Sequence, residues 1–223
     1  MATVAAIYTA LALVQPLKDL FKRYLPGCRL INIVDDSLIE EVIQHGGPTL
    51  PVKQRLLAYF ATASRTGADI VLNTCSSVGE IADLAQHFIS KPILRIDRPM
   101  AKIAVAKAER IGVLATLPTT LGPTTRLLLE EASKLHKQIH IEQGLAEGAF
   151  HELLSGNIQR HDELLEKVAT EIAQKVEILV LAQGSMARMT KRLQEITGRE
   201  VLSSLLPCVL ALKNYLEGGD FAV

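Results

Sequence analysis

The sequence predicts an α/β protein with two similar lobes, each a mostly parallel sheet flanked by helices, and an active-site cleft between the lobes. Short apolar or β-branched runs alternate along the chain with longer segments of helical period, which is the pattern of a βα series. The second half repeats the order of the first, which indicates an internal duplication. The 223 residues suffice for one large domain or two small lobes with a sizeable core.

The first half of the chain contains strands and helices whose ends carry recognisable signals. Pro51 is well placed as the first residue of a long helix, and Gly67 ends that helix. Asp35–Ser37 follow a strand, and capping of the next helix accounts for them sufficiently. In chain order the predicted elements are strand Val4–Thr9, helix Pro16–Leu25, strand Arg29–Val34, helix Leu38–His45, helix Pro51–Thr66, strand Asp69–Thr74, helix Val78–Phe88, strand Pro92–Ile96 and helix Pro99–Ala108.

The second half shows the same alternation after one irregular stretch. Gln143–Asn157 contains three Gly and little periodicity beyond a possible short helix, so we interpret it as a lid or a connection. The predicted elements are strand Arg110–Ala115, helix Pro123–His136, strand Gln138–Glu142, helix Gln159–Lys175, strand Glu177–Leu181, helix Ser185–Thr197, strand Glu200–Ser204 and helix Pro207–Leu216.

The duplication is supported by landmarks that recur at a nearly constant separation. An internal repeat at one fixed offset is the sequence signature of a duplicated unit. Val4–Thr9 lines up with Ile111–Thr116, and the same shift along the chain, to within one position, aligns Asp69 with Glu177 and Pro99 with Pro207.

The duplication predicts where the lobes end and where a ligand binds. One lobe is expected to contain residues 1–98 with the C-terminal helix 207–223, and the other residues 99–206. The carboxyl ends of matching strands are expected to face one cleft, because ligands of open α/β sheets bind at those ends. The candidate substrate-binding residues that lie at these strand ends are Tyr8, Thr9, Asn73, Thr74, Ser76, Ser77, Thr116, Gln183, Gly184 and Ser185.

Composition and charge exclude several classes of protein. The 24 basic and 24 acidic residues give a formal charge of zero, whereas nucleic acids and anionic membranes require clustered excess cations. No stretch approaches the roughly 20 apolar residues of a spanning helix, and the uncharged start lacks the basic region of a signal peptide. We therefore expect a cytoplasmic protein without nucleic-acid or membrane partners. Neither a metal-ligand cluster nor a nucleotide-binding Gly motif is present in the sequence, so no metal and no cofactor are expected.

The three cysteines form neither a disulfide framework nor a C-x-x-C pair. Cys75 lies where a predicted strand turns into a helix, and backbone N–H groups at such a turn favour the thiolate. The hydroxyl side chains around Cys75 add donors that suit a bound carboxylate. The alternative is that Cys75 only packs, because free Cys is among the most buried residue types. Cys28 and Cys208 are interpreted as packing residues.

Three segments resemble those of the aspartate/glutamate/hydantoin racemase superfamily. Ala68–Ser77 is similar to its first active-site motif, a hydrophobic strand that ends in Cys followed by small polar residues. Val176–Met186 is similar to the second motif, and Ile111–Thr116 to the strand that opens the second half. The resemblance implies two facing lobes, no cofactor and a homodimer. It also implies one Cys from each lobe on opposite faces of a small substrate that carries a carboxylate.

The sequence departs from the superfamily pattern at the second thiol. Cys75 follows Asp69 by six residues, but the residue six positions after Glu177 is Gln183. An amide neither accepts nor donates a proton usefully near neutral pH, so two-thiol racemisation is in doubt.

Three functions stay open at this point. The first is an isomerase of the racemase superfamily that acts at the α-carbon of a small carboxylate or amino-acid-like substrate, with Cys75 as acid, base or nucleophile. The second is a carbon–carbon lyase, such as a decarboxylase, with Cys75 as the proton donor. The third is a bilobal small-molecule-binding protein without chemistry. In both enzymes Gln183, Gly184 and Ser185 are expected to hold a carboxylate or carbonyl, although Ser185 is also a good helix N-cap.

Overall fold

The computed structural model describes residues 1–220; residues 221–223 of the predicted C-terminal segment lie outside this range. The chain divides into two compact units, the first made of Met1–Pro99 with the segment from Leu205 onward, and the second of Met100–Ser204. Each unit contains a four-stranded parallel sheet flanked by helices. The predicted α/β class with two lobes is therefore confirmed.

The strands and helices follow one another in the alternation that the sequence predicts. The strands are β1 Thr3–Tyr8, β2 Arg29–Val34, β3 Ile70–Asn73, β4 Ile93–Arg95, β5 Arg110–Ala115, β6 His140–Leu145, β7 Ile178–Leu181 and β8 Glu200–Leu202. The α-helices are α1 Val14–Tyr24, α2 Ser37–Gln44, α3 Leu50–Ser64, α4 Gly79–Gln86, α5 Arg98–Lys107, α6 Pro118–Lys134, α7 Ala149–Leu154, α8 Ile158–Ala173, α9 Thr190–Thr197 and α10 Leu205–Leu216. Short 3-10 turns occupy Leu11–Leu13, Ser76–Val78 and Gly184–Met189.

The first unit is built on a sheet of order β2-β1-β3-β4. Every residue of β1 and of β3 is buried, because helices cover both faces of the sheet. The helices α2, α3 and α4 form one continuous core with the sheet, in which Leu38, Leu56 and Ile81 pack with Val71. The helices α1 and α10 pack against each other.

The second unit repeats this arrangement with a sheet of order β6-β5-β7-β8. One core contains Val105 from α5 and Leu128 from α6, packed with Val113 of β5. A second core contains residues of α8 and α9, including Leu165 and Leu193. The central strand β7 is buried along its whole length, and β5 is buried from Ile111 to Ala115, because helices cover both faces of the sheet.

The duplication seen in the sequence is also present in the pairing registers of the strands. Val4 of β1 lies opposite Ile70 of β3, and Ile111 of β5 lies opposite Ile178 of β7. The repeat in the sequence aligns Val4 with Ile111 and, to within one position, Ile70 with Ile178. The central strand pair of each sheet is therefore built in the same register.

The helix N-caps show the same repeat. Thr49 accepts a hydrogen bond from the backbone N–H of Val52 through its side-chain oxygen, at 3.3 Å. Asn157 accepts one from the N–H of Arg160 in the same way, also at 3.3 Å. The two caps occupy matching positions of the repeat and begin α3 and α8, and each satisfies a backbone donor that the helix leaves unpaired.

The structure corrects four of the predicted segments. The stretch predicted as loop-like contains the end of β6 and the short helix α7. The helix α6 begins at Pro118 rather than Pro123, because Pro118 takes the first helical position and Pro123 lies one turn further inside. After β3 and β7 the chain forms a 3-10 turn before the α-helix starts, so α4 begins at Gly79 and α9 at Thr190.

Helices of membrane-spanning length and hydropathy are not found within residues 1–220.

Candidate functional site

Thr9 and Cys75 lie together at the carboxyl edge of the first sheet. Ile7 is paired with Asn73 across the two central strands, so the residues that follow emerge at the same edge. The backbone N–H of Thr74 donates to the carbonyl of Ile7 at 3.2 Å, and its hydroxyl donates to the same oxygen at 2.9 Å. The two strand ends are therefore held in fixed register, which brings Thr9 and Cys75 to the same edge of the sheet.

The chain changes direction at Cys75. Its backbone is extended, with φ −123° and ψ 117°, and it directly precedes the 3-10 turn Ser76–Val78. The side-chain amide of Asn73 donates to the carbonyl of Cys75 at 2.9 Å and fixes this peptide. Asn73 itself is fully buried, so its contribution is to the shape of the turn. The backbone N–H of Val78 donates to the carbonyl of Cys75 at 3.4 Å and closes the turn, and the N–H groups of Ser77 and Val78 lower the pKa of the Cys75 thiol.

Two opposing effects act on the thiol of Cys75. Burial raises the pKa of Cys75 above its ordinary value, although part of the residue's surface is exposed. Hydrogen bonds from the Thr9 hydroxyl, the N–H groups of Ser77 and Val78, and the Ser77 hydroxyl lower the pKa, but less than burial raises it. Cys75 is therefore protonated near neutral pH, and a thiolate that forms there already has its donors in place.

The remaining residues predicted at this edge are buried. Thr74, Ser76 and Ser77 expose 6% of their surface or less. Tyr8 is fully buried, and within residues 1–220 its hydroxyl has no hydrogen-bond partner. Burial, and then the neighbouring Cys208, raise the pKa of Tyr8 far above its ordinary value. A role of Tyr8 in substrate binding stays a prediction.

Gln183 and Thr116 form the corresponding pair in the second unit. The side-chain oxygen of Gln183 accepts three hydrogen bonds: from the Thr116 N–H at 2.6 Å, the Thr116 hydroxyl at 3.0 Å and the Leu117 N–H at 3.2 Å. Gln183 exposes only 8% of its surface. In the described part of the chain no acceptor binds its Nε2 amide group, which leaves two N–H donors for a ligand.

Gly184 and Ser185 belong to the 3-10 turn that follows Gln183. The predicted helix N-cap at Ser185 is wrong, because Gln183 is the extended residue that precedes the turn and Ser185 lies inside it. Both Gly184 and Ser185 keep part of their surface exposed. Their backbone N–H groups remain candidates for binding an anion, as in the turn after Cys75.

Sequence analysis missed a buried ion network at the carboxyl end of β4. Arg95 exposes 2% of its surface and Asp97 none. The guanidinium of Arg95 donates to both carboxylate oxygens of Asp97 at 3.1 Å, and to Asp83 at 2.6 Å. Arg98 also donates to Asp83, at 2.6 Å. The signal available in the sequence was the alternation of Arg and Asp from Arg95 to Arg98, directly after an apolar strand.

The structure also corrects the interpretation of Asp35. The carboxylate of Asp35 accepts hydrogen bonds from the Tyr59 hydroxyl at 2.6 Å and from Arg55 and Ser37, so it forms an ion pair instead of capping α2. Burial acts to raise the pKa of Asp35, but Tyr59, Ser37 and Arg55 outweigh it and hold this pKa below its ordinary value. Arg55 and Tyr59 lie on α3, a later helix, where no local pattern predicts the contact.

A cavity of about 550 Å³ opens in the first unit beside the turn that follows Cys75. Ser77 and Val78 form part of its wall, together with Thr49 and Lys53 at the start of α3. Pro48, Ile81 and Leu84 supply apolar surface. The cavity therefore combines a cation and small polar groups with apolar walls next to the candidate thiol. Groups of three or more His, Cys, Asp or Glu able to hold a metal ion are not found among the described residues.

Comparison with known proteins gives one consistent result. The model of the Asp/Glu/hydantoin racemase family matches residues 6–209. A glutamate racemase of Rippkaea orientalis is 25% identical over 186 residues, which is 81% of this chain and 63% of that protein. The match thus spans less than two thirds of this curated relative.

Solved structures of several racemases share the fold. An allantoin racemase from Klebsiella pneumoniae has a TM-score of 0.72 at 17% identity, covering 100% of this chain and 91% of that chain. A glutamate racemase from Bacillus anthracis, isoform RacE1, has a TM-score of 0.75 at 12% identity, covering 97% and 82%. The glutamate racemase from Francisella tularensis, solved in complex with D-glutamate, has a TM-score of 0.75 at 14% identity, covering 97% and 81%. At these identities the likeness shows the fold alone.

Proposed function

Because the chain belongs to the Asp/Glu/hydantoin racemase family, we propose that it is a cofactor-independent enzyme acting at the α-carbon of a small carboxylate or amino-acid-like substrate. Cys75 is the acid/base in this proposal. The observation that carries it is the position of Cys75 at a buried strand end, before the turn Ser76–Val78 and beside Thr9, whose hydrogen-bond donors lower the pKa of its thiol.

The proposed chemistry is proton transfer at carbon. The thiolate of Cys75 takes the α-proton of the substrate, and the electron pair of the broken C–H bond moves into an enolate-like intermediate. Hydrogen-bond donors stabilise the negative charge that develops on the substrate oxygens. The thiol then returns its proton to the α-carbon, and the thiolate is regenerated. The donors around Cys75 lower the free-energy cost of forming this thiolate, because they bind the charged form.

Gln183 has the role of a binding residue in this proposal. Its oxygen is already occupied by Thr116 and Leu117, whereas its Nε2 group offers two donors that suit a carboxylate or carbonyl oxygen. Gly184 and Ser185 add backbone N–H groups, Thr9 and Thr116 are proposed to complete the polar surroundings, and Asn73 shapes the turn at Cys75. That Cys75 and Gln183 act on one substrate stays a prediction from the duplication.

Decarboxylation is the second candidate, and two observations favour it. Gln183 stands where a second thiol is expected, and burial keeps the thiol of Cys75 protonated near neutral pH. In this reaction the bond between the α-carbon and a carboxylate breaks, carbon dioxide leaves, and its bonding electrons remain on the α-carbon. Cys75 then donates its proton to that carbon and regains one from water.

Proton exchange in deuterated water tests both candidates. Glutamate, aspartate, allantoin, 2-aryl acids and 2-arylmalonates are incubated with the protein, and the α-proton and carbon dioxide are followed by NMR. We expect α-deuteration of at least one compound, and a loss of about 100-fold or more in Cys75→Ser, the usual scale for acid–base groups. Cys28→Ser is the matched control, because Cys28 precedes β2 at the opposite, amino edge of the sheet. Full activity of Cys75→Ser would overturn the proposal.

The pH dependence separates the two reactions. If Cys75 acts as a base, the rate climbs as pH rises toward its raised pKa, because the thiolate fraction grows. If Cys75 acts as a proton donor, the rate is flat through neutral pH and falls only as pH passes the raised pKa. If no compound exchanges or loses carbon dioxide while one still raises the melting temperature, the protein is a binding protein without chemistry.

We further propose a cytoplasmic homodimer, as the family resemblance and the sequence predict. Light scattering coupled to size-exclusion chromatography measures the mass directly. A particle of twice the chain mass of 24.3 kDa is expected, and a monomer across the micromolar range would contradict the dimer.

A further inference from the structure

The ion network at the end of β4 has a second connection, to the helix that follows Cys75. Arg95 pairs with Asp97 on its own segment and with Asp83, which lies on α4. Burial acts to lower the pKa of Arg95, but the two carboxylates outweigh it, so the guanidinium is firmly charged. A buried guanidinium that makes three hydrogen bonds to carboxylates is costly to move. Arg95 is therefore a rigid group against which α4 packs.

Gly79, the first residue of α4, lies directly under this guanidinium. A Cβ atom added at Gly79 would meet the Cζ, Nε and Nη2 atoms of Arg95 at 2.5 Å each. The backbone of Gly79 has φ −57° and ψ −37°, which any residue adopts. Backbone conformation therefore gives no reason for glycine here, and the close approach of Arg95 gives one.

The position of Gly79 determines the position of the donors to Cys75. Ser77 and Val78 directly precede Gly79, the Val78 N–H closes the turn on the Cys75 carbonyl at 3.4 Å, and the N–H groups of both residues lower the pKa of Cys75. A shift at Gly79 is transmitted through the adjoining peptide bonds to those groups, and hydrogen bonds weaken steeply with distance and angle.

We propose that Arg95 is a positioning residue for Cys75, and that it acts by packing on Gly79 and holding the Ser76–Val78 turn against the sulfur. The proposal rests on the proposed function in giving Cys75 a chemical role, but its test reads the thiol itself. The route runs entirely through residues of the first unit: Asp97 and Asp83 fix Arg95, Arg95 fixes Gly79, and Gly79 fixes the turn.

The test is the pH profile of alkylation of Cys75 by iodoacetamide, measured by mass spectrometry on the peptide that carries Cys75. The midpoint of this profile reports the thiol pKa, and the plateau reports access to the thiolate. Arg95→Met and Gly79→Ala are each expected to move the midpoint upward by about half to one pH unit, because the thiolate loses well-aligned donors. Gly112→Ala is the matched control, since its Cβ also meets a neighbour, at 2.6 Å, but in the second unit. It is expected to leave the midpoint unchanged.

The double variant Gly79→Ala/Arg95→Met tests whether Arg95 affects the Cys75 thiol through its contact with Gly79. With the guanidinium absent, the added methyl group has nothing to displace, so Gly79→Ala is expected to add no further shift. An unmoved midpoint in Gly79→Ala, or a shift that persists in the Arg95→Met background, would overturn the proposal. If Arg95→Met does not fold, Gly79→Ala alone decides, because it retains Arg95, Asp83 and Asp97. A midpoint that shifts as expected in a protein without turnover would support the positioning role and refute the proposed function separately.

Discussion

Truncation of Gln183 is expected to cost stability as well as function, and the two effects can be separated. Gln183→Ala removes the acceptor of two backbone N–H groups and one hydroxyl, at 2.6, 3.2 and 3.0 Å. At about 1 kcal/mol for each hydrogen bond, the free energy of unfolding should fall by about 3 kcal/mol. For a chain of this size that corresponds to a melting temperature lower by roughly 6–12 °C.

Gln183→Glu is the variant that isolates the amide donors. A carboxylate keeps an oxygen in the place of the amide oxygen and accepts the same three hydrogen bonds, so the free energy of unfolding should change by less than about 1 kcal/mol. The Nε2 donors are replaced by an anionic oxygen, which repels a substrate carboxylate, so KM should rise by about tenfold or more.

Calorimetry measures the melting temperature of both variants, and steady-state kinetics measures their KM. A Gln183→Ala protein that melts within about 2 °C of the wild type would refute the role of the three hydrogen bonds. A Gln183→Glu protein that binds substrate normally would refute the role of Nε2. Gln183→Cys extends the series: if both strand ends act on one substrate, a second thiol should add inversion to the exchange catalysed by Cys75. Exchange without any gain in inversion would argue against a shared substrate.

Two further variants test the packing and the electrostatics. Gly112→Ala should lower the free energy of unfolding by about 1–3 kcal/mol in urea, because the new Cβ would lie 2.6 Å from Leu179 in a closed core; an unchanged urea midpoint would contradict this. Asp35→Asn should cost about 1 kcal/mol at neutral pH, a value kept small because its partner Arg55 is 37% exposed. The lowered pKa of Asp35 means that its contribution is present above the unfolded-state pKa of about 3.9 and is lost as pH falls through the folded-state value. The two proteins should therefore converge in stability under acid conditions, and a constant difference down to the acid limit would rule out the ion pair.

Periodicity was sufficient to predict the central strands, because strands covered on both faces are mostly apolar runs. The central strands β1, β3, β5 and β7 were located to within two residues at either end. The first residue of a helix was harder to predict where the sequence offers two acceptable starting positions. Pro118 and Pro123 are both acceptable first residues of a helix, and the helix begins at the earlier one, with Pro123 inside it.

The proximity of Thr9 and Cys75 was predictable from the strands alone, whereas the contacts of Arg95 and Gly79 were not. Residues directly after parallel strands share one edge, so strand assignment alone places Thr9 near Cys75. Arg95 was missed because a charged side chain is usually exposed, and its burial depends on two carboxylates that the sequence pattern does not mark. The Gly79 contact is harder still to foresee, since a glycine at a helix start has many explanations and its reason lies in a side chain at the end of the next strand.

Replacing Cys by Gln at the matching strand end keeps the ability to accept a hydrogen bond and removes the ability to exchange a proton with carbon. Cys75 receives a hydrogen bond from the hydroxyl of Thr9, and Gln183 receives one from the hydroxyl of Thr116, the residue that matches Thr9 in the repeat. Both positions therefore accept a hydrogen bond from the threonine that follows the neighbouring strand, which is β1 for Cys75 and β5 for Gln183. A thiol exchanges a proton with carbon, whereas an amide only binds and orients. The scaffold thus accommodates two chemically different half-sites, and the reaction follows from which one carries a transferable proton. In the function proposed for this chain that residue is Cys75, and we therefore propose a reaction in which a single thiol completes the proton transfer.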